Sequence, residues 1–454
     1  MKRKSIIYIT FTCLMTLLFL SSCKFEEENI FSETSAVRIE KALSDYKDIL
    51  CASPNGWVME YFPTTETEGY TYLMKFETST KVTMATKNRW TNYKYTTDSC
   101  TFRLIGDDGP VLSFPTAGTY KVNGIEIGIF HLFTNPQDPA GTDELDGYGL
   151  EGDYEFVVMS ATSDLIMLKG KKRGTDVRLR KLDENMVWAD YFTQIDEMKS
   201  KIINKSIEEL QLVFAQKDTF TIKTNITYQG SNASIFRIYP VGGDNIIDGV
   251  NYPYIITPTG LRLYTPYSDD NQKAQTFVLS DNEQQLICTD ENSDAVITTS
   301  PAYLFNNLIN ARKYIIFKYT SENMSTSIYD AFLLLSNAVV NTSRKLEHVG
   351  FTNNKDYGTA LSIYTTKNTS KIEGFLNYDI VVTSGNELSL TFKGFTGKYD
   401  KNGQNYYNNF KASTLIHLLE DNYTLSLQGA ALSSTTFRFT SKTDTSKWFI
   451  LTLK

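Results

Sequence analysis

A mainly β protein with accessory α-helices is predicted, arranged as two or three lipocalin-like or sandwich-like antiparallel sheet modules. Three observations predict it. Tyr and Phe number 28 and 27 of 454 residues and Pro only 11, and aromatic and β-branched side chains suit a pleated, half-buried surface. Short segments of alternating apolar and polar residues recur along the chain, separated by Gly, Asn and Asp. Helical spacing is confined to a few stretches that read as the starts of modules.

The chain opens on a basic run, Met1-Lys2-Arg3-Lys4, followed by a mostly apolar stretch over 5–20. That stretch carries Tyr8, Thr10, Thr12 and Thr16 and is short against the ~20 residues that a bilayer-spanning helix needs. Leu20-Ser21-Ser22-Cys23 resembles a bacterial lipobox, so residues 1–22 are expected to be a cleaved signal peptide and Cys23 the lipidated N-terminus. A diacylglyceryl group with a further amide-linked chain anchors stably where one acyl chain does not. Behind it, Lys24 and the acidic Glu26, Glu27 and Glu28 resemble the surface-export signal of Bacteroidota lipoproteins. A solvated tether over 23–32 is the plainer reading of the same charges, and both can hold. The expected location is the outer membrane, lipid-anchored and facing the cell exterior.

A helix-plus-sheet module is expected over 33–183. Ala36, Ile39, Leu43, Tyr46 and Leu50 recur at helical spacing within 35–52, and the turn cluster Ser53-Pro54-Asn55-Gly56 ends that helix. Strands are expected at 57–62, 70–76, 81–86, 101–105, 154–160, 165–169 and 176–182. Within 70–76, Tyr70, Tyr72, Met74 and Phe76 share one face and meet a core. A second module, 184–320, begins with a helix over 186–203 whose Trp188, Tyr191, Ile195, Met198 and Ile202 form one stripe. The third, 321–454, contains a helix over 327–346, with Ser327 and Asp330 as a capping pair. Shorter helices are expected at 301–310 and 413–419. A weak internal echo relates Tyr154-Glu155-Phe156-Val157-Val158-Met159-Ser160 to Tyr378-Asp379-Ile380-Val381-Val382-Thr383-Ser384. Each is followed by a turn, a strand and Lys-Gly, a pattern that any such hairpin also reaches.

The formal charge is −7. Removing Lys2, Arg3 and Lys4 takes the 45 basic side chains to 42, against 52 acidic ones, which makes nucleic acid an unsuitable partner. With Cys13 cleaved off and Cys23 acylated, Cys51, Cys100 and Cys288 remain, an odd number at wide separations. They read as buried, unreactive thiols, with a single Cys51–Cys100 bridge as the alternative. No Cys-x-x-Cys pair occurs, and the three histidines, His131, His348 and His417, have no zinc-ligand spacing.

Gly147-Tyr148-Gly149-Leu150-Glu151-Gly152 has dinucleotide-site spacing, but a strand follows it rather than a helix. Asp143, Glu144, Asp146, Glu151 and Asp153 would also repel a phosphate. Neither these acids nor those from Asp244 keep EF-hand spacing, since Leu145 and Gly147, or Ile246 and Ile255, fall at ligand positions. There is no Gly-x-Ser-x-Gly elbow and no His-Glu-x-x-His pair. No catalytic residue, metal ligand or cofactor is assigned, although a glycosidase pair of carboxylates converges in space and needs no nearness in sequence.

Three stretches carry a family resemblance: Ser53-Pro54-Asn55-Gly56-Trp57-Val58-Met59-Glu60-Tyr61-Phe62-Pro63, Gly109-Pro110-Val111-Leu112-Ser113-Phe114 and Gly149-Leu150-Glu151-Gly152-Asp153-Tyr154-Glu155-Phe156-Val157. As a set they resemble a lipoprotein family of gut Bacteroidota catalogued as a domain of unknown function, over roughly 31–288. The resemblance implies the company of SusC/SusD-type outer-membrane nutrient importers, and it carries over no catalytic residue.

The expected role is a non-catalytic binding or accessory module for nutrient capture, with a small-molecule or glycan ligand that the sequence does not name. A surface hydrolase of glycans or peptides and a structural or adhesive scaffold are the alternatives. Trp57, Tyr61, Tyr70, Tyr72, Trp90, Tyr93 and Tyr95 crowd the first module, and aromatic faces hold sugar rings and apolar ligands. Trp57, Tyr61 and Trp90 are the candidate ligand contacts. Core packing is the competing reading of the same rings.

Overall fold

A computed structural model describes residues 33–107, 109–122, 124–134, 149–215, 219–228, 231–269, 272–395 and 401–454. Cys23, Lys24, Glu26, Glu27 and Glu28 lie outside the described residues, as do Asp143, Glu144, Asp146 and Gly147. The described chain is mainly β, as predicted. An open nine-stranded sheet is followed by two closed eight-stranded barrels, with antiparallel pairing throughout and six α-helices among the described residues.

Helix α1 (Ser35–Ala52) starts at Thr34, whose hydroxyl accepts the Val37 N–H at 3.4 Å. It lies on the strands Arg103–Gly106, Tyr70–Phe76 and Pro110–Ser113. The predicted turn then reverses the chain: Gly56 N–H reaches Ser53 O at 3.2 Å, at a Gly56 φ of +84°. A Cβ there would overlap the Met74 carbonyl, so the position suits glycine alone. Trp57 Nε1 donates to Leu50 O at 2.9 Å, pairing a carbonyl that the helix end leaves open.

The strand Trp57–Tyr61 is buried on both faces. Trp57, Met59 and Tyr61 join Tyr70, Tyr72, Met74 and Phe76 in a core that includes Phe114, Phe130, Phe133 and Phe156. On the other face, Val58 packs with Leu73 and Ala85 under α2 (Trp188–Ile202) through Tyr191 and Phe192. Asn55 fixes the approach of α2, its Nδ2 donating to Asp183 O and Met186 O at 2.6 and 2.7 Å. The two edge strands of the sheet, Thr96–Thr101 and Arg103–Gly106, are separated only by Phe102. The sheet therefore curls until its edges come together at that corner.

The first barrel runs from Glu209–Val213 to Val296–Thr298, and the pairing of these two strands closes it. The second runs from Ile315–Phe317 to Trp448–Leu453 and closes in the same way. Between them, α3 (Pro301–Asn310) buries Phe305 completely against Phe351, Phe437 and Phe439 of the second barrel. The connector is thus also a plug, and one apolar cluster extends from barrel to barrel.

Two local expectations need correction, and one helix is not expected from the sequence at all. Helix α4 (Thr326–Val340) ends well short of 346, because the β-branched run at Val339, Val340 and Thr342 leads to a left-handed Ser343 (φ +60°) and into the strand Lys345–Asn354. Its N-cap is Ser325 rather than Ser327, and the Ser325 hydroxyl accepts the Trp448 N–H at 3.2 Å instead of capping the helix. Helix α5 (Lys401–Asn409) has no sequence signal, with four asparagines and a glycine among its nine residues. It forms against the strand Ser370–Ser384, where a Cβ on Gly374 would overlap the Gly403 backbone, and it buries Tyr406. Helix α6 (Ala412–Leu418) follows it. Of the two echoing hairpins, one lies in the open sheet and the other in the second barrel. Cys51, Cys100 and Cys288 are free thiols, with no bridge between Cys51 and Cys100. Burial pushes the Cys100 thiol up to about 12.

Candidate functional site

A cavity of about 610 Å³ opens where the curled sheet, α2 and the first barrel meet, a size within the ~300–1,000 Å³ usual for small-molecule sites. Ile202, Ile207, Leu210, Phe236, Tyr254 and Leu432 form its apolar floor. Lys199 comes from the last turn of α2, Asn204 and Lys205 from the segment that follows, and Tyr93 from the curled sheet.

Tyr93 reaches the cleft through a special backbone. Asn88 Oδ1 accepts the Trp90 and Thr91 N–H groups at 3.0 and 3.3 Å and caps the 3-10 turn Arg89–Thr91. Asn92 and Tyr93 then both adopt left-handed φ values, +51° and +56°, held by the Tyr93 N–H to Asn88 O bond at 2.8 Å. That conformation is unfavourable for a bulky side chain, and such strain concentrates at functional positions. Its effect is to turn the ring outward, 62 % exposed, with Lys199 Nζ 5.9 Å from the ring centroid.

A smaller cavity of about 110 Å³ continues the cleft and shares Tyr93, Lys199 and Ser234 with it. Its carboxylates are engaged. Glu68 accepts the Tyr70 hydroxyl and the Ser234 N–H, both at 2.9 Å, and Asp196 pairs with Lys87. Lys199 and Lys205 have no carboxylate partner among the described residues.

The candidate contacts fall elsewhere. Trp57 and Tyr61 are completely buried, with Tyr61 OH donating to Asp153 O at 3.0 Å, so neither ring has an open face. Trp90 is half-buried, edged by Tyr70 and Phe133, with the Arg89 guanidinium 4.0 Å from its centroid. Of the seven aromatic residues singled out in the first module, Tyr93 alone lines the larger cavity. Lys199 and Lys205 escape sequence reasoning because a lysine on the polar side of a helix or in the segment after it has no pattern that separates it from any solvated charge.

Far from the cleft, Glu420, His417 and Tyr407 form an exposed hydrogen-bonded chain. His417 Nδ1 lies 2.8 Å from Glu420 Oε2, and Nε2 lies 2.8 Å from Tyr407 OH. With Nδ1 donating to the carboxylate, Nε2 accepts the phenol proton. The order is that of orienting group, base and nucleophile, but neither cavity above borders it. No three His, Cys, Asp or Glu side chains come together as a metal site among the described residues, and Asp244 is occupied by the Ile246 and Ile247 N–H groups.

Residues 27–281, more than half of the chain, match a family described as a domain of unknown function, DUF4302. The chain belongs to the DUF4302 family. No curated protein matches it. The DUF4302 region takes in the curled sheet, α2 and the first barrel through the strand Gln272–Leu279. Every residue lining the larger cavity except Leu432 lies within it.

Proposed function

We propose that this DUF4302 protein is a surface lipoprotein of the outer membrane, anchored through Cys23, that binds a small molecule or glycan as a non-catalytic accessory to nutrient capture. The observation that carries this reading is the cleft. Its larger cavity has the volume of a ligand site, an exposed ring held over it by a strained backbone, and no carboxylate in its lining. A hydrolase needs a converging acid and base, which that lining lacks. The lipobox-like Leu20-Ser21-Ser22-Cys23 and the Lys24-led acidic run support the location, and the family resemblance supports a SusC/SusD-type importer as partner.

Calorimetric titration of the full-length protein in detergent with glycans, peptides and small nutrients tests the reading. A saturable signal without product, lost in Tyr93→Ala, is the expected result. The second reading, a hydrolase, is favoured by the Glu420–His417–Tyr407 chain. Turnover abolished by Glu420→Gln would establish it and overturn the first.

A further inference from the structure

We infer that the cleft selects a small carboxylate that carries a ring, a sugar acid or an aromatic acid, with the carboxylate at Lys199 and Lys205 and the ring on Tyr93. This rests on the binding reading above and goes beyond it in naming the chemistry.

The inference comes from asking which polar groups of the cleft are free. Asn204 is used by the scaffold: Nδ2 donates to Ser433 O at 2.6 Å and Oδ1 accepts the Ser206 N–H at 2.8 Å. Asn225 Nδ2 donates to Ile207 O at 3.1 Å and to Lys205 O at 3.2 Å, and the Thr224 hydroxyl donates to Ile207 O at 2.6 Å. A neutral sugar, which needs paired donors and acceptors, finds few of them unoccupied. Besides the Tyr93 hydroxyl, two ammonium groups remain, without a carboxylate in the lining of this cavity.

Their surroundings make them available to a ligand. The end of α2 presents partly negative carbonyls, which by themselves would favour a cation. Ile203 N–H meets one of them, Lys199 O, at 2.9 Å, and Lys201 in the same turn is paired with Glu283 at 2.8 Å. Lys199 points instead to the Tyr93 side of the cleft. In a chain of net charge −7 this is a locally positive site, and such a site gathers anions from an otherwise repelling surface. An inorganic anion would leave the apolar floor and the Tyr93 ring without contacts. A ring attached to the anion covers both.

Calorimetry on the full-length protein with galacturonate, phenylacetate and galactose, at low and at high salt, tests this. One or both acids should bind. Lys199→Glu and Lys205→Glu should each weaken binding about tenfold, as should high salt, while circular dichroism stays unchanged because both lysines are exposed. Binding of galacturonate alone would identify a sugar acid as the ligand class, and of phenylacetate alone an aromatic acid. Galactose binding as tightly as galacturonate, indifferent to Lys199→Glu, would overturn the anion and leave the binding reading intact. Failure of both acids at millimolar concentration overturns the inference as well, and the broader ligand titration decides the binding reading separately.

Discussion

Glu60 and Arg262, 202 residues apart in sequence, meet at 2.5 Å between Oε2 and Nε, and both are almost wholly buried. The pair joins the curled sheet to the first barrel. Arg180 Nε holds the other Glu60 oxygen at 2.8 Å, and Phe62 packs on Tyr264 beside it. Burial works against the Glu60 charge, yet Arg262, Arg180 and Arg178 outweigh it and keep its pKa below the ordinary glutamate value.

Removing one partner of this pair leaves a buried charge alone. Glu60→Ala is expected to cost about 3–5 kcal/mol in urea unfolding. Glu60→Leu combined with Arg262→Met should recover only part of that loss, because Arg180 and Arg178 then remain without their carboxylate. A cost for Glu60→Ala of under ~1 kcal/mol would mean that the pair is not buried in solution.

Stability should also fall on mild acidification. His131 is half-buried, with Nε2 2.6 Å from Phe114 O, and His348 is buried, its Nδ1 accepting from Lys454 Nζ at 3.1 Å. Burial holds the pKa of both below the ordinary 6.5, and at His348 the Lys454 charge lowers it further. The unfolded chain therefore binds these protons more readily than the fold does. The resulting stability is complete above 6.5 and is lost as pH falls towards the folded values. Denaturant midpoints measured across this window should drop, and His348→Gln should flatten the curve; a midpoint independent of pH would refute the assignment.

Tyr93 offers a test of strain. Asparagine accepts the left-handed region that tyrosine resists, so Tyr93→Asn should raise stability by ~1 kcal/mol while removing ligand binding. A loss of stability would show that the ring is a packing residue.

Anchoring is tested at Cys23. Cys23→Ala should abolish palmitate labelling and release the protein from the membrane fraction. Replacing Lys24, Glu26, Glu27 and Glu28 with alanine should protect it from protease added to intact cells; a wild-type chain already protected would instead face the periplasm.

What could be read in the sequence was local. Helices α1 and α2 and the hairpins of the curled sheet show their periodicity within a few turns or strands, and the β class follows from composition. Barrel closure is a different kind of fact. Val296–Thr298 and Ile315–Phe317 are too short to show alternation, and their closing partners lie far away along the chain. The site was partly legible for a related reason. Trp57, Tyr61 and Tyr93 are equally aromatic, and only the fold decides that two are enclosed and one is turned outward. That decision for Tyr93 depends on its left-handed φ, which a tyrosine does not announce.

The strand that completes the first barrel lies beyond residue 281, where the family match stops. A fragment cut there would keep Glu209–Val213 without its Val296–Thr298 neighbour and Gln272–Leu279 without Leu286–Cys288. Two rows of backbone N–H and C=O groups would then be open to another molecule's strands. The boundary of shared ancestry is therefore not a boundary of self-sufficiency, and the fragment should self-associate edge to edge more readily than the whole chain, whose barrel is closed.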